Sequence, residues 1–110
     1  MSVRVYVPAT FALLADLQRD GELPASVDRF EAADDSEEAE YSALLDGADA
    51  SRALIGGPGR RVVVVAELPS DAGPVPLSRV VAVHVDTRED AAEDDDLAWF
   101  ATQEIPHLLA

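Results

Sequence analysis

The sequence predicts an α+β (or α/β) fold, built as a two-layer sandwich from a mixed sheet of three to four strands and about three helices. Valine-rich segments with strand-like patterns are interspersed with segments whose apolar residues recur at helical spacing. The resulting order, β-α-(β)-α-β-β-α, favours helices packed against a sheet. A chain of 110 residues is close to the commonest domain size, so we expect a single domain over residues 1–110.

The first strand and the first helix have well-marked ends. Valines alternate with Arg4 and Tyr6 from residue 3 to residue 7, which indicates a half-buried strand that ends at Pro8. Thr10 is a favourable N-cap for the helix that follows, and Gly21 is suited to the left-handed position after its last turn. Residues 27–31 are predicted to form a short edge strand.

A second helix is predicted after the acidic stretch at residues 34–40. Asp35 and Glu38 have the spacing of a capping box, and acidic side chains in a first turn complement the helix dipole. The glycines and proline of residues 56–59 end the helix. Its predicted buried face consists of Tyr41, Leu44, Leu45, Ala48 and Ile55.

Two further strands follow. Residues 61–68 contain four consecutive valines and predict a central strand that is covered on both faces. Residues 79–86 alternate as the last strand, with Val81, Val83 and Val85 on one face. Val80, Ala82, His84 and Asp86 are then expected on the other face.

A C-terminal helix is predicted from about Asp94 to Glu104, because Pro106 disfavours helix at the residue before it. At 100° per residue, Trp99 points away from the expected core face and shares a side of the helix with Asp95 and Gln103. An exposed Trp is a candidate contact residue, so these three residues are the predicted partner-binding site. The alternative is that Trp99 covers the sheet edge or packs on residues 105–109. The core face consists of Leu97, Phe100, Ala101 and Ile105.

His84 and Asp86 form a second candidate site. Side chains at i and i+2 share a strand face, and with a carboxylate from residues 87–96 they could bind a divalent metal or act as an acid/base pair. The alternative is a structural histidine with satisfied hydrogen bonds. No metal-ligand motif is present, so no catalytic residue, cofactor or metal is assigned. The glycine-rich residues 56–61 follow a helix and precede a strand, the wrong order for a phosphate loop.

The charge of the chain excludes several partners. Twenty-two Asp and Glu oppose eight Arg, with no Lys, for a net charge of −14. Such a surface repels phosphate backbones and anionic lipids, so we expect neither nucleic-acid nor membrane binding. Codon bias in a GC-rich genome, or halophilic solvation, would also explain the acidity. The chain has no run of about 20 apolar residues, and its start lacks an apolar signal core, which favours a cytoplasmic protein. The absence of cysteine excludes disulfides, thiolate zinc sites and cysteine nucleophiles, and it says nothing about compartment.

Three segments resemble a family of small uncharacterised actinobacterial proteins. They are VRVYVPAT (residues 3–10), the segment 76–86 and WFATQEIP (residues 99–106). The resemblance spans nearly the whole chain and implies a cytoplasmic protein from a GC-rich bacterium. It implies no activity, and no residue inherits a role from it.

Three functional hypotheses follow. The first is a non-enzymatic protein-interaction module that uses Trp99 and the exposed side of the predicted C-terminal helix. Its partner is a basic or Arg-rich protein, which acidic flanks would steer, or a second copy of the chain. The second is a small carboxylate-dependent or metal-dependent enzyme centred on His84 and Asp86. The third is a nucleic-acid mimic whose carboxylates imitate phosphates. Whether the acidic stretches 34–40 and 87–96 bind anything or only solvate the surface is left open.

Overall fold

The computed structural model describes residues 2–110 and confirms the α+β class. Three helices are present in this part of the chain, which is the predicted number, although the third lies after the predicted residues 94–104. Two single 3₁₀ turns are present at Leu77–Arg79 and Thr102–Glu104. The helices are α1 (Phe11–Asp20), α2 (Glu37–Ile55) and α3 (Ile105–Leu109). The strands are β1 (Val3–Ala9), β2 (Glu22–Leu23), β3 (Phe30–Glu31), β4 (Val62–Leu68), β5 (Val75–Pro76), β6 (Val80–Val85) and β7 (Ala98–Phe100).

The main sheet is larger than predicted and is antiparallel rather than mixed. Over residues 2–110 its five strands lie in the order β3-β1-β4-β6-β7, and each pairs antiparallel with its neighbours. The three long strands were predicted, and the short edge strand expected within residues 27–31 is present as β3, at one edge of the sheet. β7 was not predicted, because its three residues are too few for a clear alternating pattern. A separate two-stranded ribbon joins β2 to β5.

The predicted caps hold for α1 and shift by one residue for α2. The Thr10 hydroxyl accepts a hydrogen bond from the Leu13 amide at 3.1 Å, and Gly21 ends α1 with a φ of 79°. In α2, Ser36 caps the helix in place of Asp35, accepting from the Ala39 amide at 3.1 Å. The predicted Asp35–Glu38 capping box is therefore wrong, although the acidic stretch does lead into the helix.

Helices cover both faces of the sheet, so the molecule has three layers rather than the predicted two. On one face, α1 and α3 pack with Val5, Val7 and Val64 in the larger apolar cluster. On the other face, α2 packs over β1, β3 and β4, around Tyr6 and Val63.

The buried side of α2 is made of small residues, which corrects the predicted face. The large side chains Tyr41 and Leu45 are exposed. A Cβ added to Gly47 would lie 3.0 Å from Val63 Cγ1, so the glycine lets the helix approach the sheet closely. The residues that α2 buries are Ala43, Gly47, Ala48 and Ser51.

The predicted C-terminal helix over residues 94–104 is wrong. Residues 98–100 form β7, in which Ala98, Trp99 and Phe100 pair with Val85, His84 and Val83 respectively. Phe100 packs on the larger apolar cluster, which places Trp99 on the opposite face of the sheet. Pro106 does not end a helix but lies in the first turn of α3, where its missing N–H costs no hydrogen bond.

Candidate functional site

The face of the sheet that carries α2 is only partly covered. Because α2 lies over β1, β3 and β4, the adjoining strands β6 and β7 extend beyond it. A groove of about 410 Å³ lies between the start of α2 and these strands. We call it the α2 groove. Its lining comes from α2 (Glu37, Glu40, Tyr41, Leu44) and from the sheet (Arg4, Tyr6, Val65, Val81, Ala82, His84, Trp99).

Trp99 lies in this groove, on a strand rather than on a helix. Its backbone pairs with His84, which places the Trp99 side chain on the groove face of the edge strand, and the residue is 61% exposed. Trp99 is also the only tryptophan of the chain. The sequence therefore identified an exposed Trp correctly, but for the wrong structural reason.

The structure does not bring Asp95 and Gln103 into the groove with Trp99. Asp95 lies in the loop before β7, where its carboxylate accepts a hydrogen bond from the Ala92 amide at 2.8 Å. Gln103 is exposed in the 3₁₀ turn after β7. Neither residue lines the groove, because the helix on which the three were expected to align is absent from residues 94–104.

A β-bulge exposes Val81 beside Trp99. Val65 pairs with Ala82 while Ala66 pairs with Val80, so Val81 is an extra residue in β6. The shift corrects the predicted alternation of this strand, because Val80 joins Val83 and Val85 in the core and Val81 lines the groove.

The aromatic walls of the groove are held by specific contacts. The Tyr41 hydroxyl donates to Asp96 Oδ1 at 3.2 Å, which ties α2 to the loop before β7. The Asp96 carboxylate also raises the pKa of Tyr41, because the negative charge opposes ionisation of the phenol. Tyr6 is 4% exposed and reaches the groove from the buried sheet surface.

The groove carries charges of both signs. Arg4 contributes the positive charge, and its guanidinium lies 3.7 Å from Glu40 Oε2 and 3.4 Å from Glu67 Oε1. Glu37, in the first turn of α2, takes part in no ion pair with any residue from 2 to 110.

His84 and Asp86 are not brought together as an acid/base pair. His84 is half-buried in the groove, and burial lowers the pKa of its imidazole by disfavouring the charged form. Asp86 is fully buried, and its two carboxylate oxygens accept hydrogen bonds from Arg61 at 2.8 and 2.9 Å. For the stretch 2–110, no cluster of three or more His, Cys, Asp or Glu side chains is arranged to hold a metal ion.

Sequence reasoning missed the role of Arg61. This residue is 2% exposed, and its guanidinium also donates to the backbone carbonyls of Ala92, Glu93 and Asp95 at 3.0 Å each. Arg61 therefore holds the second acidic stretch against the sheet. Burial alone would raise the pKa of Asp86, but hydrogen bonds and the charge of Arg61 outweigh it and lower that pKa.

A second pocket of about 570 Å³ lies between the start of α1 and the end of α2. The Arg60 guanidinium lies 4.9 Å from the centre of the Phe11 ring and donates to the Asp86 carbonyl at 2.7 Å. Leu54 is exposed at its edge. Arg60, which supplies the positive charge of this pocket, is thus already engaged by the chain itself.

Comparison with known proteins identifies the family and no activity. A model described as a family of unknown function (DUF6912) matches residues 3–109, so the chain belongs to this family, and the resemblance to an uncharacterised family is confirmed. No curated protein and no solved structure matches the chain. None of the helices described between residues 2 and 110 has the length and apolarity needed to cross a membrane.

Proposed function

We propose that this family member is a non-enzymatic protein-interaction module whose α2 groove binds a basic protein partner. The observation that carries the proposal is the exposure of Trp99 in a groove shared with Tyr41 and Val81. Trp and Tyr are the residues most enriched among interface positions that dominate binding energy. A rigid sheet supports Trp99, so a partner would bury it without first ordering a loop.

The net charge selects the class of partner. At −14, the chain attracts a basic protein over a Debye length and raises its association rate. A second copy of the chain carries the same charge and is repelled. This consideration favours a basic partner over the homo-oligomer, the other partner suggested by the sequence.

In this arrangement Asp86 is not available for the enzyme activity that we considered for His84 and Asp86. Both carboxylate oxygens of Asp86 accept hydrogen bonds from Arg61, and the residue is shielded from solvent. It is therefore not free to ligate a metal or to accept a proton from substrate. His84 remains in the groove, and we assign it to the binding surface.

Site-specific photo-crosslinking in the source cells tests the proposal. A p-benzoylphenylalanine replacing Val81 should crosslink to a discrete partner, and the same probe replacing Leu54 reports on another exposed apolar position, which lies outside the α2 groove. Trp99→Ala should weaken the Val81 crosslink by at least about thirtyfold, the effect of removing a residue worth about 2 kcal/mol. Leu54→Ala, which removes another exposed apolar side chain, should leave it unchanged.

The result that would overturn the proposal is a crosslink at Val81 that survives Trp99→Ala, or one that Leu54→Ala reduces equally. Circular dichroism of both variants shows whether the fold is retained. The crosslinked partner should have a basic isoelectric point, and an acidic one would contradict the selection by charge.

A further inference from the structure

We propose that the α2 groove recognises an arginine side chain of the partner, whose guanidinium stacks on Trp99 and Tyr41 and pairs with Glu37. This inference rests on the proposed function and names the chemical group of the partner that the groove binds. It follows from three properties of the groove, which are its aromatic walls, its unpaired carboxylate and its resident arginine.

The first property is the convergence of aromatic side chains. Trp99, Tyr41 and Tyr6 line one groove, although the chain has only six aromatic residues of the Phe, Trp and Tyr types. The faces of such rings attract cations, and Trp does so most strongly. Trp99 and Tyr41 are 61% and 51% exposed, so both rings are accessible to a ligand.

The second property is the state of the two carboxylates at the start of α2. Glu40 already faces Arg4, whose guanidinium lies 3.7 Å away. Glu37 lines the same groove and has no ion-pair partner in the described part of the chain. A cation entering from solvent would therefore meet one carboxylate that is free to pair with it.

The third property is that the resident positive charge of the groove, that of Arg4, is already balanced by two carboxylates. Arg4 reaches into the groove from β1 and pairs with Glu40 and Glu67. A planar guanidinium can stack on an aromatic face and direct its N–H groups at a carboxylate in the same pose. A lysine ammonium is more strongly hydrated and cannot stack in this way, so we commit to arginine.

The position of Glu37 has a second explanation, which the test must separate from ligand binding. Acidic residues in a first helical turn are stabilised by the helix dipole whether or not they bind anything. Glu38 occupies the same turn and carries the same charge, but it does not line the α2 groove. Glu38→Gln is therefore the matched control for Glu37→Gln.

The experiment uses the only tryptophan as its reporter. The indole N–H resonance of Trp99 is followed while the protein is titrated with acetylated, amidated glycine peptides that contain a single arginine, lysine or citrulline. Citrulline has the shape of arginine without its charge. The arginine peptide should bind in the range of about 0.1 to 10 mM, and the citrulline peptide at least about tenfold more weakly.

The variants locate the binding. Glu37→Gln should weaken the arginine peptide about three- to tenfold, while Glu38→Gln should leave its affinity unchanged. The inference is overturned if the indole resonance does not move, if citrulline binds as well as arginine, or if the two Gln variants behave alike. If the lysine peptide binds as tightly as the arginine peptide, the groove does not select arginine.

Failure of this inference can be told apart from failure of the proposed function. A Val81 crosslink that depends on Trp99, combined with equal binding of arginine and citrulline, would leave the interaction module standing and remove its arginine subsite. Loss of the Trp99 dependence would remove both.

Discussion

Arg61 and Asp86 form a buried, two-pronged ion pair at the ends of neighbouring strands. Nε of Arg61 donates to Asp86 Oδ2 at 2.8 Å, and Nη2 donates to Oδ1 at 2.9 Å. The two residues meet because Val62 pairs with Val85, which makes Arg61 and Asp86 the next pair of the antiparallel ladder. Nη1 of Arg61 also donates to the Glu93 carbonyl, and Nη2 also donates to the carbonyls of Ala92 and Asp95, so one side chain links the sheet to the loop before β7.

Asp86→Ala should destabilise the protein by about 3–5 kcal/mol, because it leaves a buried guanidinium without its counter-charge. Urea unfolding followed by circular dichroism measures the loss. Asp90→Ala is the control, since Asp90 also pairs with an arginine, Arg88, but in solvent. Equal stability of the two variants would mean that the buried pair is not structural.

The contribution of Asp86 should depend on pH below about 4. Arg61 holds the folded-state pKa of Asp86 below its ordinary value of 3.8, so the unfolded chain binds this proton first as the pH falls. The stabilisation is therefore complete above pH 3.8 and is lost as the pH drops through the folded-state pKa. The difference in unfolding free energy between wild type and Asp86→Asn should stay constant from pH 6 to about pH 4 and shrink toward pH 2, and a constant difference down to pH 2 would contradict this reasoning.

His84 should make the stability of the protein depend on pH in a second, higher range. Burial lowers the pKa of His84 below 6.5, so its contribution to stability is present above pH 6.5 and falls as the pH decreases toward the folded-state value. His84→Gln should flatten the unfolding free energy of the protein between about pH 5 and 7. An unchanged slope in His84→Gln would contradict this reasoning.

Some features of this fold could be predicted from the sequence, and others could not. Thr10, Gly21 and the valine-rich strands carry local signals, because caps and side-chain alternation are set within a few residues. The segment 98–100 carries none, since three residues fit a helical period and a strand period equally well. The Arg61–Asp86 pair depends on which strands are neighbours, a relationship between distant parts of the chain. It could have been found only by pairing the ends of the two predicted strands.

The α2 groove was not predictable for a related reason. Its existence depends on how far α2 extends across the sheet, and small side chains rather than a leucine stripe set that contact. Tyr41 and Leu45 fit a helical apolar face and were expected in the core, yet they are exposed because Gly47 and its neighbours pack on the sheet instead.

Gly47→Ala should destabilise the protein by about 1 kcal/mol. Alanine favours helix over glycine by about the same amount, but its Cβ would crowd Val63, and overpacking a core typically costs about 1–3 kcal/mol. Val63 is fully buried between two strands, so it has little room to move. The double variant Gly47→Ala/Val63→Ala should be more stable than the sum of the single effects predicts, and strict additivity in urea unfolding would rule out this contact.

Substitutions of Tyr41 can show whether its ring or its hydroxyl group contributes to binding in the groove. Tyr41→Phe removes the hydrogen bond to Asp96 and keeps the ring, whereas Tyr41→Leu removes the ring as well. If the ring stacks on a bound guanidinium, the phenylalanine variant should keep the affinity for the arginine peptide within about twofold. The leucine variant should lose about two- to fivefold in affinity, which corresponds to the roughly 0.5–1 kcal/mol of an exposed cation–π contact. The indole N–H resonance of Trp99 measures both. An equal loss in the two variants would instead mean that Tyr41 acts by fixing the loop before β7. Binding would then depend on the Tyr41–Asp96 hydrogen bond rather than on the ring.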